Sequence, residues 1–285
     1  MSRILVTGSS GLIGTEVVRV ATAQGHHVVG LSRSEPVPTD LTDAAAVAVL
    51  VADVAPDLIV HAGAWADVDG CELDPDRARA VNVDGTRNVV AAADAVGAHV
   101  VHLSTDLVFD GTKAGPYTET DEPNPISVYG TTKLAAEGEV GGQHTVVRTS
   151  WVCGEPGDDM VHTVLALARS GQPLRFVTDQ VGRPTFTVDL APALLDLGGD
   201  RVGGTWHVTN QGALSWFDLA REVLTAAGLD ADRVVPVTTA EFRPPRPARR
   251  PANSMLDDAA LRASGRARLP HFRPSLQRLV DQLAP

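Results

Sequence analysis

Residues 3–14 read RILVTGSSGLIG: the apolar run Ile4-Leu5-Val6, then three glycines, Gly8, Gly11 and Gly14. A short apolar run of this kind reads as a strand covered on both faces, and residues 11–24 carry a helical pattern that stops at Gly25. A glycine turn from strand into helix lets the backbone bend tightly and approach a pyrophosphate. The free N–H groups and dipole of the helix N-terminus then favour the negative charge. G-x-x-G-x-x-G means little outside that context, and here the context is present. The stretch predicts an α/β protein with a dinucleotide on Gly8, Gly11, Leu12, Ile13 and Gly14.

Outward from this loop the chain alternates strand and helix patterns. Arg3–Thr7, His27–Leu31, Leu58–His61, residues 99–104 and Thr145–Thr149 read as strands. Residues 11–24, 43–53, 75–96 and Val128–Val140 read as helices, the third with Pro75 in its first turn and Gly97 at its end. This order predicts a Rossmann-like, doubly wound parallel sheet with helices on both faces. After about residue 150 the alternation weakens. A helix over 159–169, a strand over Leu174–Val177, a short strand in TWHVTN (205–210) and a helix over 215–228 capped by Ser215 are expected. FRPPRPARRPAN (242–253) reads as a loop. Residues 1–150 are expected to form an NAD(P)-binding domain carrying the catalytic residues. Residues 151–285 are expected to form mainly a small C-terminal substrate-binding lobe, interleaved with the first part and without a clean linker.

The composition bounds the function. The 285 residues are 44% hydrophobic and 21% charged, ordinary for a soluble globular protein. A formal net charge of -11 opposes nucleic-acid binding, which needs clustered cations. No stretch reaches the ~18 apolar residues of a membrane span, and no signal peptide is read at the N-terminus. Cys71 and Cys153 read as reduced thiols, without zinc-ligand spacing. The expected location is the cytoplasm.

The end of the second strand selects the cofactor. An acidic residue there would bind the ribose hydroxyls of NAD; this chain has Ser32 and Arg33. Arginine suits a 2′-phosphate, so NADPH is favoured, with NADH left open. Asp40, followed by Leu41, either touches the adenine edge or caps the next helix. Tyr129 and Lys133 stand in YGTTK, one turn apart on one helix face. An ammonium there is expected to lower the phenol pKa, so that Tyr129 can exchange a proton with a carbonyl/alcohol pair. Thr105, just past the fourth strand, lies at the carboxyl edge where ligands bind in such sheets.

Several segments carry a resemblance: HAGAWADVDGCELDPDRARAVN (61–82), STDLVFDG (104–111), YTETDEPNPISVYGTTKLAAE (117–137), RTSWVCG (148–154), DQVGRPT (179–185) and RPANSMLD (250–257). Together they resemble the extended short-chain dehydrogenase/reductase family, and within it the sugar-nucleotide reductases. The resemblance implies NAD(P)H-dependent reduction of the C4 keto group of a dTDP-4-keto-6-deoxyhexose. It makes Thr105, Tyr129 and Lys133 catalytic. It makes Ala62, Gly63 and Ala64 cofactor contacts, alongside Tyr129 and Lys133. Asp69, Ser104, Thr105, Asp106 and Trp151 are implied to face the sugar, and Arg183, Arg250 and Asn253 the phosphates. Leu107, His61 and Gly63 depart from the usual tyrosine, asparagine and alanine. Some members dimerise around magnesium, and Glu16 could be a ligand; helix dipoles also favour such a glutamate, so no metal is assigned and a homodimer is left open. Two other readings stay open: another superfamily enzyme, such as an epimerase or dehydratase, and a non-catalytic subunit resembling the regulatory subunit of methionine adenosyltransferase.

Overall fold

The computed structural model describes residues 1–32 and 39–283; Arg33 lies outside them. Strands β1 (Arg3–Thr7), β2 (His27–Leu31), β3 (Leu58–His61), β4 (His99–Thr105) and β5 (Thr145–Thr149) alternate with helices α1 (Leu12–Ala23), α2 (Ala44–Val54), α3 (Val68–Leu73), α4 (Pro75–Arg79), α5 (Gly85–Val96) and α6 (Val128–Val140). Beyond Thr149 follow β6 (Val152–Cys153), α7 (Met160–Ser170), β7 (Leu174–Val177), β8 (Val181–Gly182), β9 (Thr185–Phe186), α8 (Thr187–Gly199) and β10 (Gly204–His207). The chain ends with β11 (Leu214–Ser215), α9 (Trp216–Ala226), β12 (Val234–Val237), α10 (Ala259–Ala263) and α11 (Phe272–Leu283).

The main sheet has six strands in the order β10-β5-β4-β3-β1-β2, every pair parallel. Successive side chains of a strand point to opposite faces, and the core divides accordingly. Ile4 and Val6 pack with Val17, Leu190 and Leu194 from α1 and α8. Leu5 between them packs with Val47 and Val51 of α2 and Val89 of α5. The Rossmann-like α/β class read from the sequence is what the chain adopts. Strand order reverses between β1 and β3, and the loops leaving those two strands frame the crevice where α/β sheets bind ligands. A second core joins α7, α9, α11 and β7 through Val161, Leu165, Leu219, Val223, Phe176 and Leu276. No helix among the described residues is long and apolar enough to cross a membrane.

One expectation is corrected and another is given its place. The helix read over 75–96 is interrupted: between α4 and α5 lies a π-helical turn, Ala80–Asp84. Such turns are rare and concentrate at functional sites. This one holds the buried Asn82, whose Oδ1 accepts from Trp65 N (2.8 Å) and whose Nδ2 donates to Trp65 O and Thr132 Oγ1 (both 3.2 Å). The strand expected in TWHVTN is present and joins the main sheet. It is β10, the sixth strand of the main sheet, which α8 reaches by a parallel crossover beside β5. The alternating pattern thus returns once after residue 150, masked by the short strands between.

Candidate active site

The glycine loop is built to bring backbones together. Gly8 has φ +68°, and a Cβ on it would lie 2.8 Å from the Ala62 carbonyl carbon. A Cβ on Gly14 would lie 2.1 Å from Gly8 O. Gly11 caps α1 with no side-chain hydrogen bond, so the first turn, Leu12 and Ile13 included, is left without a side-chain cap. Gly8, Gly11, Ser32, Asp40, Leu41, Ala62, Gly63 and Ala64 line one cleft of about 250 Å³. A bare cradle at an uncapped helix N-terminus fits a dinucleotide pyrophosphate. The helix after Asp40 is capped by Asp43, which accepts from Ala45 N and Ala46 N. Asp40 instead holds Thr42 N (2.9 Å) and stays in the cleft wall. Sequence reasoning missed Trp65 and Arg77, which complete that wall with the guanidinium 4.3 Å over the indole.

The candidate catalytic edge is assembled by close packing of α6 on the end of β4. Ser127 caps α6 by accepting from Gly130 N (3.1 Å), and Glu72 of α3 accepts from Val128 N (3.0 Å). A Cβ on Gly130 would lie 2.1 Å from Leu107 O, so only glycine lets the helix sit flush there. That contact brings Tyr129 against Thr105. The Thr105 hydroxyl donates to Asp106 Oδ1 (3.0 Å) and accepts from Leu107 N (3.1 Å). Lys133, one turn along, is buried with Nζ 3.2 Å from His102 Nε2.

The electrostatics correct one expectation. Burial raises the Tyr129 phenol above its ordinary value, with the charges of Asp106 and Cys71 adding to it, while the Thr105 hydroxyl works the other way. Lys133 is itself pulled down to about 8 by burial, against the pull of Glu137. Desolvation therefore sets the direction, opposite to the one expected from the lysine, and favours the protonated phenol. Burial also pushes the Asp106 carboxyl up to about 6.

The residues implied to face substrate divide into two groups. Asp69 is spent on Arg250, through Arg250 Nη1–Asp69 Oδ1 (2.5 Å) and Nη2–Oδ2 (2.9 Å), and it also accepts from Ala248 N. Asn253 donates to Lys113 O (2.7 Å) and Gly115 O (2.8 Å) and accepts from Met255 N. Ser104 donates to Glu137 Oε1 (2.5 Å). These four side chains brace the walls. Trp151 is half-buried at φ +45°, a costly conformation for a non-glycine residue, and stacks on Trp216 at 3.5 Å. Arg183 keeps Nε and Nη1 buried without a partner among the described residues, although Asp257 and Asp258 lie near enough to act on it. Glu16 is paired with Arg19.

The model of the RmlD substrate binding domain matches residues 1–284. The chain belongs to this family. Among its family relatives is a dTDP-4-dehydrorhamnose reductase of Burkholderia thailandensis, 38% identical across 99% of both chains. The spore coat polysaccharide biosynthesis protein SpsK of Bacillus subtilis is 35% identical over 99% of this chain and 98% of its own. Among solved structures, a dTDP-4-dehydrorhamnose reductase from Bacillus anthracis in complex with NADP superposes with a TM-score of 0.93, at 32% identity and 99% coverage of each chain.

Proposed function

We propose that this RmlD-family protein reduces the C4 keto group of dTDP-4-dehydrorhamnose to give dTDP-L-rhamnose, with NADPH preferred to NADH. The observation that carries the reading is the half-buried Tyr129 phenol placed against Thr105, beside a bare dinucleotide cradle; the relatives supply the substrate. When bound, a reduced nicotinamide supplies the hydride.

The chain's own residues do the rest. Reduction needs an acid, and Tyr129 O–H gives its proton to the C4 oxygen as the carbonyl becomes an alcohol. The Thr105 hydroxyl holds that oxygen. The Lys133 ammonium steadies the phenolate that is left, by the attraction of opposite charges in a water-poor site. Gly8, Gly11, Gly14 and residues 62–64 hold the cofactor. Asp106 and Trp151 form the sugar wall, and the unspent N–H groups of Arg183 suit the substrate phosphates. We assign cofactor binding and chemistry to residues 1–150, and most of substrate recognition to residues 151–285. We place the protein in the cytoplasm, in keeping with two free, buried cysteines.

The test follows the loss of reduced-nicotinamide absorbance with freshly made dTDP-4-dehydrorhamnose, using NADPH and NADH in parallel. Oxidation faster with NADPH is expected, and Arg33→Ala should narrow the gap by weakening NADPH alone. No oxidation with either cofactor, while both still bind, would sink the reading.

A further inference from the structure

β4 reads HVVHLST, and all seven residues are buried. A strand covered on both faces asks for apolar side chains, yet His102 stands in its middle at 0% exposure. His102 also leaves its Nδ1 buried with no partner among the described residues, which a fold avoids unless something is gained elsewhere. What His102 does touch is Lys133: Nε2 lies 3.2 Å from Nζ, and Lys133 is 2% exposed.

We propose that His102 is a positioning residue: as a neutral imidazole it accepts a hydrogen bond from the Lys133 ammonium and holds Nζ where the reducing site needs it. The proposal rests on the reading of Lys133 as part of that site. The tautomer follows from the geometry. An ammonium only donates, so Nε2 must be the acceptor and the proton must sit on Nδ1.

The neighbours explain why a histidine does this. The nearest carboxylate, Glu137 of the same helix, is already spent on Arg148 of β5 (2.9 and 2.7 Å) and on Ser104. From β3, His61 comes within 5.1 Å ring to ring, and its own nitrogens are taken by Thr7 Oγ1 (2.6 Å) and Thr86 Oγ1 (3.0 Å). A free carboxylate at position 102 would clamp the ammonium and raise its pKa; a neutral acceptor aims it and lets it titrate near neutrality. Burial and the Lys133 charge together keep His102 uncharged.

The chain offers a clean readout, because Lys113 is its other lysine, and Lys113 sits in a partly exposed pair with Asp121. Full-length protein labelled with carbon-13 at lysine Cε is titrated by NMR as wild type, His102→Leu and His102→Gln. Lys133 should titrate at about 8 in wild type and stay close to that in His102→Gln, which keeps an acceptor. In His102→Leu it should fall by about one unit, while Lys113 does not move. With substrate, His102→Leu should lose about tenfold in kcat at nearly unchanged KM, and His102→Gln should recover most of it. Should His102→Leu fail to fold, His102→Asn, too short to reach Nζ, takes its place. An unmoved Lys133 midpoint in the folded variant overturns the proposal. So does a His102→Gln protein that titrates like His102→Leu. Absence of turnover in the wild type would remove the reductase reading and leave the NMR comparison standing.

Discussion

Tyr129 shows how little a motif says about protonation. The i, i+4 spacing to Lys133 points to a lowered phenol pKa, but the fold half-buries Tyr129 and buries Lys133, and desolvation is the largest effect on each. For a reductase this is the useful state, since a phenolate has no proton to give. Tyr129→Phe removes the acid and little else, so turnover should fall by at least about a thousandfold with NADPH affinity within about twofold. Stopped-flow turnover and cofactor titration would check this. Near-normal turnover would remove Tyr129 from the proton's path. Tyr117 is the only other tyrosine, so ring-carbon NMR should also show the Tyr129 phenol protonated throughout the ordinary working range of pH. The glycines were legible in the sequence because their role is local. Asp69 and Arg250 were not: each reads as a ligand alone, and only the fold shows that they bind one another.

At the scale of elements, α6 carries Tyr129 and Lys133 and is locked to β5 by a buried ion pair. Arg148 and Glu137 meet in a two-pronged contact, at 6% and 8% side-chain exposure. Removing one partner strands the other charge, so Glu137→Ala should cost about 3–5 kcal/mol, far more than a surface pair. Chemical denaturation measures it; a loss below about 1 kcal/mol would mean the pair is solvated in solution. The element pattern up to Thr149 was readable because strands covered on both faces leave unbroken apolar runs and glycine or proline punctuates the helices. The π turn was not, since nothing in the sequence of Ala80–Asp84 marks an extra residue, and only the fold shows Asn82 bonded to Trp65 and Thr132. Past residue 150, two-residue strands such as β6, β8 and β9 are too short to show any period.

Across the whole molecule, histidines are the groups most out of place. Burial drives His61 and His207 down to about 3 and His99 to about 4, and holds His102 well below its ordinary value, with nearby cations or histidines adding to it. In the unfolded chain these imidazoles titrate near 6.5. Between the two values the unfolded state binds protons that the folded state refuses. Stability therefore rises with pH across that window and is lost as pH falls from about 6.5. Each such group contributes about 1.4 kcal/mol per pH unit, and the four together about 5.5. Asp106, raised to about 6 by burial, and His162, raised by Asp159 and Glu155 against its own burial, act in the opposite sense. They are two against four. The net loss is then about 3 kcal/mol per pH unit, a large part of a stability of about 5–15 kcal/mol. Melting temperature measured from neutral pH downward should begin to fall near pH 6, with activity lost in step, because His61 and His102 lie directly beneath Lys133. A melting temperature that stays level to about pH 4.5 would show that these imidazoles accept protons inside the folded protein.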